Sequence, residues 1–492
     1  MTEINPCRIS VANAKDLNPH GDFVLYWMTA FRRTKWNFAL QRAAQVADEL
    51  HKPLVIFEPL RINYRWASQR FHQFIIQGMK CNHDRLLENP VTYIPYVEPK
   101  QNASSGLLDQ LSQRTCCVVS DDYPCFFLPS LVRKAARLIP TRFELVDSNG
   151  IIPIRLAERT FTVAHSYRRW MQKNIQEHLG EMPETNPLSQ KKIPRLPKNL
   201  LSKEFQKWPP ADLEQLLQAG GLDTLPFDQS VPPVNEMIGG EDQGEARLEA
   251  FLNDQFSRYD TDRNHPDFKA TSRLSPYLHF GHLSAHQFVD SVLRHENWSP
   301  QQLGAPNGKN SGFWNISESG EGLMDQLLTW REMGFNFAAR HPRELDRYDS
   351  LPDWAKTSLK NHADDPRPYL YSLEEFEQAE THDEIWNAAQ RELVKTGTLH
   401  NYMRMLWGKK ILHWSRSPEE ALKVMIHLNN KYALDGRDPN SYSGIFWVLG
   451  RYDRAWGPKR PVFGSVRYMT SESASKKLKM KEYLAEHSPP GS

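Results

Sequence analysis

Apolar positions along this chain follow two different rhythms. From residue 23 to residue 146, short apolar runs alternate with longer stretches of helical period. Phe23-Val-Leu-Tyr-Trp-Met28 is rich in β-formers, has no charged residue, and predicts a buried strand. Between Trp36 and Leu50, Ala39, Leu40, Ala43, Val46, Ala47 and Leu50 share one helical face, and Pro53-Leu-Val-Ile-Phe57 is a second buried strand. Strand, helix, strand is a βαβ unit and predicts a parallel sheet. The alternation continues with a helix near 67–89, strands at 92–96 and 117–120, a helix near 129–137 and a strand at 143–146. Residues 1–180 are thus expected to form an α/β, doubly wound parallel-sheet domain. Ligands of such sheets bind at the carboxyl ends of the strands. No Gly-x-Gly-x-x-Gly follows the first strand, so a standard dinucleotide site is not expected there.

Residues 181–244 break the rhythm with many prolines, two Gly-Gly pairs and the basic stretch Lys191-Lys-Ile-Pro-Arg-Leu-Pro-Lys198. They predict a surface linker, with the basic stretch solvated. From 245 onward helical periods dominate. Helices are expected at 245–257, 284–295, 321–339, 372–379, 383–396, 399–413, 418–429 and 438–449. Residues 245–472 therefore read as an all-α domain, and 473–492 as a frayed tail.

Composition adds limits. The 492 residues exceed what one core serves, so two or more domains are expected. The net charge of +2 excludes a wholly basic binder but leaves room for a local basic groove. The 14 tryptophans imply much buried aromatic surface, and the same rings suit base stacking and electron or hole transfer. The five cysteines (Cys7, Cys81, Cys116, Cys117 and Cys125) form no CxxC pair, and no histidine cluster completes a metal spacing. Reduced thiols, no signal-like N-terminus and no apolar stretch of membrane-spanning length predict a cytoplasmic protein without a metal.

One segment carries candidate chemistry. In Thr271-Ser-Arg-Leu-Ser-Pro-Tyr-Leu-His-Phe-Gly281, Ser275 before Pro276 reads as an N-cap with proline at the first helical position. Three hydroxyls and an arginine before a helix N-terminus fit a pyrophosphate. They also fit a plain capped helix.

This segment resembles the flavin pyrophosphate motif of the photolyase/cryptochrome family, with Tyr259 upstream matching a tyrosine on the phosphate side. The resemblance spans roughly residues 22–478. It runs through Asp325-Gln-Leu-Leu-Thr-Trp-Arg-Glu332, Thr381-His-Asp-Glu-Ile-Trp-Asn387, Leu399-His-Asn-Tyr-Met-Arg-Met-Leu-Trp407, Lys409-Lys-Ile-Leu-His-Trp414, Leu434-Asp-Gly-Arg-Asp-Pro-Asn440 and Val466-Arg-Tyr-Met469. The last four, and Leu25-Tyr-Trp-Met28, resemble the class II branch, which acts on cyclobutane pyrimidine dimers.

The resemblance implies an N-terminal α/β domain joined to an all-α FAD-binding domain. It assigns Tyr259, Thr271, Ser272, Arg273, Leu274, Ser275, Trp330, Asn336, Arg404, Asn429, Asp435, Gly436 and Arg437 to the flavin. Arg404 and Asp435 would pair beside the isoalloxazine. Asn429 would face N5, where a neutral amide accepts or donates without supplying a labile proton; asparagine is also a common helix C-cap. Trp386, Trp407 and Trp414 match electron-transfer residues. Trp407 and Trp414, seven apart, lie on one side of a helix about 10 Å apart along its axis, a spacing that also suits core positions. Gln326, Trp330, Met405 and Trp447 would line the pocket for a flipped-out lesion, since the flavin cannot reach it within the duplex. Arg454 and Trp456 would meet the opened strand, and Arg460, Arg467 and the lysines of 476–481 are candidates for phosphate.

Three positions depart from the class II pattern. Gln326 stands where a glutamate is usual, and members acting on (6-4) photoproducts and some cryptochromes carry glutamine there. Leu406 stands where tyrosine is common. Residues 27–36 depart from the usual segment after the first strand, where an antenna chromophore of deazaflavin or folate type would bind. The resemblance implies light-driven lysis of cyclobutane dimers in UV-damaged DNA by electron transfer from reduced FAD, in a monomer. The alternatives are a cryptochrome-like photosensor and (6-4) repair.

Overall fold

The computed structural model describes residues 3–489. The chain divides into two compact units whose segments interleave. One comprises Met1–Glu158, Asn174–Leu248 and Leu274–Leu293; the other comprises Arg159–Lys173, Glu249–Arg273 and Arg294–Ser492.

The first unit is built on a six-stranded sheet of order β1-β6-β5-β2-β3-β4. The strands are β1 (Ile9–Val11), β2 (Phe23–Trp27), β3 (Leu54–Leu60), β4 (Thr92–Val97), β5 (Thr115–Asp121) and β6 (Arg142–Val146). All pairings are parallel except β1 with β6. The central β2 is buried at every residue, which is why its sequence is an unbroken apolar run. Fully buried side chains such as Phe23, Leu25, Val55, Val118 and Phe143 each stabilise the sheet by roughly 1.5–3 kcal/mol. The edge strand β1 has three residues and no buried one, so it leaves no periodic signal.

The strand order reverses between β2 and β5, the switch point where such sheets form a crevice. Here Asp121 fills it. Its Oδ2 accepts from the backbone N–H groups of Thr29, Ala30 and Phe31 at 2.7, 2.6 and 3.0 Å, and Oδ1 accepts from the Tyr26 hydroxyl at 2.7 Å. Asn37 caps the helix Phe38–Glu49 with its Oδ1 and ties Nδ2 to the Phe31 and Arg33 carbonyls. Gly281 (φ +75°) packs on this loop: a Cβ there would lie 2.0 Å from the Ala30 oxygen.

Several regions differ from the sequence reading. Residues 159–173, expected in the α/β domain, belong to the helical unit, and 274–293, expected in the all-α domain, belong to the α/β unit, because chain order does not fix which core a helix packs on. Residues 181–244 were expected as a surface linker, yet they belong to the α/β unit. Leu201 and Trp208 join its core, and the Trp208 indole donates to the Ala103 carbonyl at 2.9 Å. Lys191, expected to be solvated, is almost wholly covered and pairs with Glu184 at 3.6 Å. Prolines and glycines hid this because irregular backbone can still bury isolated large side chains. The expected tail carries the helices Ser471–Lys477 and Lys481–Glu486, with Tyr483 buried; residues 490–492 of it lie outside the described residues.

The second unit is helical. Its elements include Glu318–Met324, Glu332–Arg340, Glu384–Thr396, Asn401–Trp414, Pro418–Tyr432 and Pro439–Val448. The stretch expected as one helix over 321–339 is interrupted by a π-helix at Asp325–Arg331. Good caps match the boundaries: Asp383 accepts from Ile385 and Trp386, Ser417 from Glu420, and Asp438 from Asn440.

Candidate functional site

The segment 271–281 does not form the cap its sequence suggests. The helix is Ser275–His279, Leu274 is its N-cap, and no side chain caps it. At five residues it gathers little dipole, so the anion reading loses its helix-terminus argument. The unit boundary falls between Arg273 and Leu274. Arg273 adopts a left-handed backbone (φ +53°), and its Nη2 reaches Thr398 Oγ1 at 3.5 Å. Tyr259 is buried against the Arg263 guanidinium, 5.3 Å from the ring centroid.

Asn429 is fixed from one side only. It lies inside the helix Pro418–Tyr432, whose C-cap is Ala433, so the C-cap alternative is excluded. Both Nδ2 hydrogens are engaged, with Asn430 Oδ1 at 3.1 Å and Ser441 Oγ at 2.9 Å. No described residue donates to its Oδ1. Asn430 in turn accepts from the Arg437 backbone N–H at 2.9 Å. Gly436 passes so close that a Cβ would lie 2.8 Å from the Asn429 carbonyl oxygen. Arg404 pairs with Asp435 at 3.1 Å, both mostly shielded from solvent. An amide acceptor that no described residue satisfies and a guanidinium–carboxylate pair are polar groups that suit a planar ring carrying N–H and carbonyl groups, as an isoalloxazine does. Asn336 is engaged otherwise: its amide binds the Arg159 carbonyl and the Phe161 N–H.

The three expected electron-transfer tryptophans are buried and linked, two by their rings and the third through its backbone. Trp386, Trp407 and Trp414 are exposed by 2% or less. The Trp386 and Trp414 rings meet edge to face with centroids 6.0 Å apart. The Trp386 indole donates to the Trp407 carbonyl at 3.0 Å, and the Trp407 indole to Gln390 Oε1 at 2.9 Å. Beyond Trp414 lie Tyr371 and His382, at 5.6 and 5.0 Å, toward solvent.

The expected pocket residues are half-buried: Gln326, Trp330, Met405 and Trp447. Gln326 and Trp330 share the π-helix. Met405 faces Gly444, one turn before Trp447. Trp447 and Trp456 belong to a ladder of cations and rings. The Lys409 ammonium lies 5.0 Å from the Trp447 centroid; the Arg467 guanidinium lies 5.5 Å from Trp447 and 4.4 Å from Trp456; Arg454 covers Trp456 at 4.9 Å. Leu406 is fully buried.

Sequence reasoning missed several residues here. Burial pushes the Lys409 ammonium down to about 7, with Asp453 opposing the shift; its Nζ donates to the Val448 carbonyl at 2.6 Å. Burial pushes the Glu392 carboxyl up to about 7, although the Tyr483 hydroxyl and the His400 N–H donate to it. Lysine and glutamate at these positions resemble solvated helix-face residues in sequence, and only packing reveals their burial. In the α/β unit, the N–H groups at the switch point are taken by Asp121, so a second chromophore there needs other donors.

All five cysteines are free thiols. Among the described residues no helix is long and apolar enough to cross a membrane, and no cluster of His, Cys, Asp and Glu suits a metal ion.

No family model matches the chain. It is 30% identical over 483 residues to the deoxyribodipyrimidine photo-lyase of Methanothermobacter thermautotrophicus, covering 97% of each protein. It is 31% identical to that of Arabidopsis thaliana, over 94% of this chain and 88% of the relative. The fold resembles a class III photolyase from Agrobacterium tumefaciens (TM-score 0.66, 16% identity, 96% of this chain and 87% of that one). It also resembles a cryptochrome from Synechocystis (TM-score 0.63, 13% identity, 94% and 88%).

Proposed function

Because this chain belongs to the deoxyribodipyrimidine photo-lyase family, within the photolyase/cryptochrome fold, we propose that it is a class II-type enzyme repairing cyclobutane pyrimidine dimers in UV-damaged DNA. The observation that carries this reading is the helix Asn401–Trp414, which alone presents Arg404 of the ion pair, Met405 of the pocket, and Trp407 and Trp414 of the tryptophan row. When bound, reduced FAD supplies light-driven one-electron chemistry that opens the cyclobutane ring with no net redox change.

The protein's own residues supply orientation and electrostatics. Asn430 and Ser441 hold the Asn429 amide by its nitrogen, which leaves its oxygen as the acceptor that would take an N–H at the flavin N5 edge. That contact offers no acidic proton. The Arg404–Asp435 pair sets a fixed dipole beside the ring system. Trp330 and Trp447 give flat apolar walls to an extruded dimer, and Gln326 offers a donor and an acceptor to its pyrimidine edges. Arg454, Trp456 and Arg467 present charge and stacking surface to the opened strand. The buried row Trp407, Trp386 and Trp414 carries electrons inward from the solvent side.

The neutral Gln326 also suits a (6-4) lesion, and the cryptochrome fold likeness is compatible with a photosensor. One assay decides: photoreduced protein is illuminated with DNA carrying defined cyclobutane dimers or (6-4) products. Loss of dimers alone is the expected result. Loss of (6-4) products alone, or of neither lesion, overturns the proposal in favour of the respective alternative.

A further inference from the structure

Trp330 is held by a device that no sequence motif announces. Its Nε1–H donates to Asp325 Oδ2 at 3.2 Å. Asp325 is gripped in turn by Arg168, with Nε to Oδ1 at 2.6 Å and Nη2 to Oδ2 at 3.1 Å. The third guanidinium nitrogen, Nη1, donates to the Gly308 carbonyl at 3.1 Å. Gly308 (φ +82°) sits against the helix Ala164–Leu179 that carries Arg168, its N–H bound to Gln172 at 2.7 Å; a Cβ there would meet His165 at 2.9 Å. Arg168 therefore has every nitrogen engaged and no freedom to swing.

The backbone makes the contact possible. In an α-helix, side chains five residues apart point about 140° away from each other. A π-turn closes i to i+5, and Asp325–Arg331 is π-helical, so Asp325 and Trp330 come onto one side. π-turns of this kind cluster at functional sites. The Arg168 and Asp325 side chains are only 11% and 10% exposed. An ion pair so buried adds little stability over apolar residues of the same shape, because desolvation offsets its attraction. What a bidentate fork does provide is direction.

We propose that Arg168 and Asp325 are positioning residues that fix the Trp330 ring as one wall of the lesion pocket. This rests on the pocket assignment made above. Arg168 locks the carboxylate, the carboxylate locks the indole N–H, and the ring presents its face without a rotamer search when the extruded base arrives.

The test uses FAD-loaded protein in the dark, with duplexes that carry or lack a single cyclobutane dimer. Arg168→Met should weaken dimer-DNA binding by about tenfold, the loss of one charge-assisted hydrogen bond, and leave binding of undamaged DNA unchanged. In a Trp330→Phe background the same change should add nothing further. With 15N-labelled tryptophan, the Trp330 indole N–H resonance should shift in Arg168→Met and partly recover in Arg168→Lys. Should Arg168→Met fail to fold, Asp325→Asn gives the same reading, since it keeps the acceptor and releases the fork. Unchanged dimer affinity in a folded variant, an unmoved indole resonance, or full additivity with Trp330→Phe each overturns the proposal. A wild-type protein that cannot distinguish dimer DNA from undamaged DNA overturns the pocket assignment instead, while the indole resonance still judges the clamp.

Discussion

Two carboxylates, one in each unit, the first fully buried and the second half-buried, show how differently this chain treats its polar interior. In the α/β unit Asp121 takes three backbone N–H groups and a tyrosine hydroxyl. The crevice at the strand ends is thereby satisfied from within. In the helical unit Glu392 receives one N–H and one hydroxyl, and burial pushes its carboxyl up to about 7. The same unit leaves the Asn429 oxygen without a donor among the described residues. Polar atoms closed on every side hold a fold together; those fixed on one side and open on the other mark where a ligand completes the structure.

The comparison breaks most directly at Asp121. Asp121→Ala strands several buried donors at once and should destabilise the protein by about 5 kcal/mol, read by urea unfolding. A cost below that of a single hydrogen bond would mean water or another group already shares the crevice.

Glu392 tests the other side through pH. Its folded value of about 7 lies above the ordinary 4.5, so the folded state holds this proton more tightly than the unfolded chain. The associated stability is full below pH 4.5 and is lost as pH rises through 7, amounting to about 3 kcal/mol. Unfolding free energies of wild type and Glu392→Gln, measured from pH 5 to 8, should converge in slope everywhere except that window.

A smaller effect is expected at Trp414→Phe. Flavin photoreduction should slow by about tenfold, some 1.4 kcal/mol of barrier, relative to repair by chemically reduced protein. Equal slowing of both would sink the proposed row. The last is Asn429→Ala, which removes two neutral hydrogen bonds and should lower stability by about 2 kcal/mol. It should also change the visible absorption of the bound flavin, a response that no purely structural asparagine would give.

Much of the architecture was legible in the sequence because burial on both faces writes itself as composition. β2, β3, β5 and most helices of the second half were placed within a few residues, but the helix Asp353–Asn361 was not foreseen. The interleaving of the units was not legible, since Trp208 and Leu201 are single buried side chains set among prolines and glycines. Ser275-Pro276 misled for a local reason: Ser417-Pro418 has the same pattern and does cap its helix, so the dipeptide permits a cap without requiring one.

By itself the sequence determined the parallel sheet and the helical second half, because periodicity and residue chemistry are properties of neighbours along the chain. Only the tertiary structure decided that Asp121 closes its own crevice, that no described residue donates to the Asn429 side-chain oxygen, and that Arg168 reaches Trp330 through Asp325 across a π-turn. Those depend on which donors meet which acceptors in space, and partners as far apart along the chain as Arg168 and Asp325, or Asp121 and Ala30, leave no period to read.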